Sequence, residues 1–144
     1  MRRATLVVAA GGLFMMTAIA AAQDASGYPD MRGRWKGTSE GIVLGSGMYH
    51  REGGKPGEPR MVNKEFTLDI KGQEGRRFWG EIASKDDTGP FLGVIANDKQ
   101  TLYLVDSAGG HVTGRLIGPG RFEMCYARPG KDVMVAACNV HTRQ

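Results

Sequence analysis

The chain has 144 residues and a formal net charge of +4. That length holds one domain, not several. The small positive excess, with no run of like charges, gives no sign of the concentrated basic face that nucleic-acid binding requires.

The first residues differ from the rest. Arg2 and Arg3 form a basic start, and no charge follows from Ala4 to Ala22. Leu13-Phe14-Met15-Met16 is the apolar centre, and Ala20-Ala21-Ala22 offers a small-residue cleavage site before Gln23. These three parts make a secretory signal peptide over residues 1–22, leaving one domain over 23–144. Removing Arg2 and Arg3 lowers the charge from +4 to +2. The alternative is an uncleaved anchor, since 4–22 is just long enough to span a bilayer, but its many Ala and Gly residues weaken that reading. The expected location is periplasmic or secreted, without stable membrane insertion after cleavage.

After a polar segment over 23–30, Gly33-Arg34-Trp35-Lys36-Gly37 opens the first strand, which runs from about 32 to 44. Residues 45–63 form a long irregular stretch rich in Gly and Pro, and such loops are usually functional or disordered. Residues 64–71 alternate cleanly, with Phe66, Leu68 and Ile70 on one face, as in a half-buried antiparallel strand. Further strands are expected over 76–84, 90–96, 101–106, 111–117, 121–127 and 133–142, separated by Gly-, Pro- and Asn-rich turns. Three segments read apolar-x-Gly-x-apolar: Phe78 to Ile82, Phe91 to Ile95 and Val112 to Leu116. With a period of two, the apolar ends and the Gly of each share a face. The strand over 90–96 is apolar on both faces, which points to a contact outside the domain such as a subunit interface in a homo-oligomer.

Eight short strands in a meander predict an all-β fold: an eight-stranded antiparallel up-and-down barrel, with a β-sandwich as the alternative. Cys125 and Cys138 flank the turn around Pro129-Gly130. An exported protein meets oxidising conditions, so the pair is expected to form a disulfide. If Lys131 and Asp132 are the turn, Cys125 faces Cys138; if Pro129 to Asp132 are, it faces Ala136.

Gly33-x-Trp35 on the first strand, the eight-strand meander and Arg143 at the end of the last strand resemble the calycin pattern of lipocalins and avidins. The resemblance implies that Trp35 packs at the closed end of the barrel with Arg143 across it. The remaining lipocalin and avidin motifs are absent, so biotin binding is not implied. Size, compartment and a single disulfide also resemble small exported barrels that inhibit lysozyme or secreted proteases. Gly45-Ser46-Gly47-Met48-Tyr49 resembles the Ser- and Gly-rich loop of the lysozyme inhibitors.

Catalytic signals are weak. His50, His111 and His141 have no partner at metal-ligand spacing, so no metal is expected. Ser39, Ser46, Ser84 and Ser107 sit in no nucleophile elbow. Asp86-Asp87 reads as turn chemistry, and the glycines form no phosphate loop. The expectation is a non-catalytic barrel without cofactor. Its partner is a small apolar or planar ligand, met by Tyr49, Trp79, Tyr103 and Tyr126 at the barrel mouth. The bland reading is that these rings fill or cover the core. The alternative function is protein binding, as in an inhibitor of a secreted or wall-degrading enzyme, through loop 45–63 with Ser46, Tyr49, His50 and Arg51.

Overall fold

The computed structural model describes residues 26–53 and 55–144, so the expected signal segment 1–22 lies outside the described residues. Eight strands follow one another: β1 (Gly33–Gly45), β2 (Arg60–Glu74), β3 (Arg77–Ala83), β4 (Thr88–Ile95), β5 (Thr101–Asp106), β6 (His111–Gly118), β7 (Arg121–Arg128) and β8 (Val133–Arg143). Each pairs antiparallel with the next, and β8 returns to β1 to close the barrel. The fold is therefore all-β with up-and-down strand order, a barrel and not a sandwich. Closure leaves no sheet edge free to recruit another strand.

Alternation sets the inside. Phe66, Leu68 and Ile70 of β2 are buried, as are Phe78 and Ile82, Phe91 and Ile95, and Val112. These side chains join Met31, Trp35, Leu102, Leu104, Phe122 and Met124 in one core. Glycine is required where β1 crosses β8: a Cβ on Gly37 would lie 2.4 Å from the Val140 carbonyl oxygen.

Strand β2 starts at Arg60, inside the stretch expected to be irregular. Residues 60–63 pair with Val43 to Glu40 of β1, so the connecting loop is 46–59. The alternation there is disguised. Met61 faces solvent at 78% exposure, whereas the cation Lys64 occupies an inward position at 6%.

Cys125 lies directly opposite Cys138 in the β7–β8 pairing, and the two form a disulfide. This is the first of the two registers above. Both cysteines lie on the outer surface. No helix among the described residues is long and apolar enough to cross a membrane.

Candidate functional site

The two ends of the barrel differ in chemistry. One is closed by residues 26–32 lying across it. Trp35 is fully buried there, its indole N–H donating to the Met31 carbonyl at 2.8 Å. The Arg143 guanidinium sits over the Trp35 ring, 4.4 Å from the centroid. It also donates to the carbonyls of Arg32, at 2.7 Å, and Asp30. Gln73 holds the same segment, accepting from the Met31 N–H at 2.7 Å and donating to Pro29 at 2.9 Å. Phe122 packs 5.0 Å from Trp35, and His141 stacks on Phe122 at 5.2 Å. Neither ring nitrogen of His141 has a hydrogen-bond partner in the protein. Burial alone lowers its pKa to about 4.

The other end carries loop 46–59 and the β3–β4, β5–β6 and β7–β8 turns. Under them lies a cavity of about 30 Å3 lined by Tyr49, His50, Asp106, Tyr126 and Asn139 above Phe66, Ile82 and Met124. At roughly 10–15 Å3 per water on this measure, it has room for about two water molecules. The two tyrosines fit because glycines face them. A Cβ on Gly110 would lie 2.1 Å from the Tyr126 ring, and one on Gly89 would lie 2.6 Å from the Tyr49 hydroxyl.

The cavity wall is mainly apolar, with buried polar atoms set around it. Tyr49 Oη, His50 Nδ1, Asp106 Oδ2 and Asn139 Oδ1 are buried without partners in the protein. The other carboxylate oxygen of Asp106 accepts from the N–H groups of Ala108, at 3.0 Å, and Gly110, at 2.9 Å. Burial, reinforced by Asp106, pushes the Tyr49 phenol up to about 12 and raises that of Tyr126 too. Burial, then Lys64 and Arg60, push His50 down to about 4. At neutral pH the cluster thus offers two phenols and a neutral imidazole beside the side chains of Asp106 and Asn139. The described residues include no group of three or more His, Cys, Asp and Glu able to hold a metal.

Loop 46–59 has a clamped base and an exposed tip. Gly47 and His50 exchange backbone hydrogen bonds of 3.1 and 3.0 Å. The Ser46 hydroxyl lies 3.1 Å from the His50 carbonyl oxygen and 3.2 Å from that of Arg51. Lys64 Nζ donates to the Tyr49 carbonyl at 2.7 Å and pairs with Asp86 of the β3–β4 turn. Arg60 donates to the Gly45 carbonyl at 2.6 Å. Ion pairs Arg51–Asp87 and Lys85–Glu52 tie the loop to the same turn. Beyond them the described residues of 51–59 are all exposed. Beside the loop, on the outer wall, Met61 and Ile42 are paired neighbours and Met134 lies one step along β8, all three exposed.

The structure thus separates the expected site residues. Tyr49 and Tyr126 come together at the mouth, pointing inward. Trp79 and Tyr103 face outward on the barrel wall and do not reach the mouth. Trp79 instead lies over the bulge at Gly72, where a Cβ would meet its ring at 2.2 Å. Of the loop candidates, Tyr49 and His50 are buried, Ser46 is engaged with the loop's own carbonyls, and Arg51 is exposed but paired with Asp87. Lys64, Asp106 and Asn139 were not anticipated. The one signal for Lys64 was a cation at an inward position of an alternating strand. Comparison of the chain with family models, curated proteins and solved structures found no match to it.

Proposed function

We propose that the chain is an exported, non-catalytic binding barrel whose partner is a protein, engaged by the tip of loop 46–59 and the Met61–Ile42–Met134 strip beside it. The observation carrying this reading is the interior volume. Small-molecule sites span roughly 300–1,000 Å3, and the cavity at the mouth is about 30 Å3. The rim has what a protein site needs. Its base is held in place before binding, which limits the ordering cost of association. Methionine side chains adapt to irregular partner surfaces. The partner class is a secreted or wall-degrading hydrolase, in keeping with the calycin-like and inhibitor-like layout. An externally placed disulfide suits export.

The test is titration of lysozyme-type muramidases and secreted proteases with the mature, oxidised protein. A saturable one-to-one inhibition is expected, weakened about tenfold or more by Met61→Asp, since one central contact commonly carries that much. The reading fails if no hydrolase is bound and an apolar planar ligand saturates the barrel instead. That outcome would favour the small-ligand function, in which Tyr49 and Tyr126 must withdraw to open the mouth.

A further inference from the structure

Large apolar side chains also stand exposed on the opposite wall. Leu92 is 64% exposed, Tyr103 50%, Val105 46% and Trp79 44%. Strand registers make them one patch. Trp79, Leu92 and Val105 form a row across β3, β4 and β5, and Val94 and Tyr103 belong to the next row. Their exposed area is of order 400 Å2, within the range of the largest patch on a typical monomer and often functional at that size. A standard interface takes about 800 Å2 from each partner, a little over half of it apolar. The patch therefore supplies the apolar share of one such interface.

We infer that this wall is an isologous dimer interface, occupied by a second copy of the chain. Charge at its ends selects that occupant. On β3, Arg77 lies two residues before Trp79 and Glu81 two residues after it, both outward and both on the patch margin. A two-fold axis across the strands at the Trp79–Leu92–Val105 row sets Arg77 of each copy over Glu81 of the other. It also brings each residue of the central row against its own equivalent, as closed two-fold symmetry requires. Side-chain packing is the available mode, because the closed barrel has no edge strand to add to. The present partners of the two charges, Glu74 at 3.3 Å from Arg77 and Lys71 at 2.7 Å from Glu81, form substantially exposed pairs. Such pairs contribute little and yield easily to a new partner. The hydrolase-binding rim lies on another wall and stays free in the dimer.

Sedimentation equilibrium of the mature, disulfide-bonded protein from low to high micromolar concentration tests this. A dimer is expected, with Trp79 fluorescence shifting to the blue as it forms while buried Trp35 stays constant. Leu92→Glu should weaken it about a hundredfold or more, the loss typical of a central anchor. Arg77→Glu alone should weaken it by about tenfold, and Arg77→Glu with Glu81→Arg should restore it. Leu92→Cys, under mild oxidation, should cross-link to itself across the axis. A wild-type monomer at every concentration overturns the proposal, whatever else binds the patch. So does a dimer that survives Leu92→Glu, or a double charge exchange no tighter than the single one.

Discussion

Three buried side chains, Trp35, His50 and His141, carry most of the residue-level chemistry. Trp35 fills the closed end, and truncation of a buried aromatic costs about 3–5 kcal/mol. Trp35→Ala is therefore expected to lower stability by that amount in denaturant titration. Arg143→Ala should cost less, since its stacking contributes about 0.5–2 kcal/mol. The double variant should show coupling, because both side chains hold the segment through Asp30, Met31 and Arg32. An unchanged stability in Trp35→Ala would contradict a structural role. His50 and His141 supply the second prediction. Both have folded pKa values near 4, below the ordinary value of 6.5. A base with a depressed folded pKa binds its proton more readily when unfolded. Its stabilisation is complete above pH 6.5 and fades as pH falls toward 4, by no more than about 3 kcal/mol per group. Unfolding curves should show a loss across that window, and His141→Phe, which keeps the stack on Phe122, should remove one part of it. A flat profile from pH 6.5 to 4 would show that neither imidazole is held neutral.

At the scale of elements, the strands were legible because turns and alternation agree along most of the chain. Outward placement of Trp79 and Tyr103 follows from parity, against the expectation of a mouth lined by these rings. Trp79 sits between Phe78 and Gly80, and Tyr103 between Leu102 and Leu104, whose flanking residues form the inner face. Parity excludes both rings from the interior, and aromatic character alone is no guide to which side they take. The start of β2 was not legible, because an outward Met61 and an inward Lys64 reverse the expected pattern. Nor was the placing of Asp106 and Asn139 beside Tyr126, since the three converge only once the barrel closes. Lys64 pairs with Asp86 where both are largely removed from solvent. Removing one partner of such a pair costs about 3–5 kcal/mol. Lys64→Ala should accordingly destabilise the fold and speed proteolytic cleavage within 46–59. Cleavage at the wild-type rate would mean that the loop is held elsewhere. The Cys125–Cys138 bond, with a sequence separation of 13, should contribute about 3 kcal/mol in the chain-entropy model. Stability measured with and without reductant checks that figure.

For the whole molecule, the interior is filled apart from a cavity of about 30 Å3, and both proposed binding surfaces lie on the outside. The closed end is sealed by Trp35 and Arg143, the mouth by Tyr49 and Tyr126, and binding is assigned to the outside. Methionines report on each region separately. Met61 and Met134 stand on the rim, Met124 lines the mouth cavity and Met31 lies under the closed end. Methyl-labelled methionine spectra of the mature protein, recorded while a muramidase is added, test the claim most directly. The Met61 and Met134 methyl signals are expected to shift while those of Met124 and Met31 hold still. Movement of Met124 with Met61 and Met134 unmoved would place binding inside the barrel and contradict it.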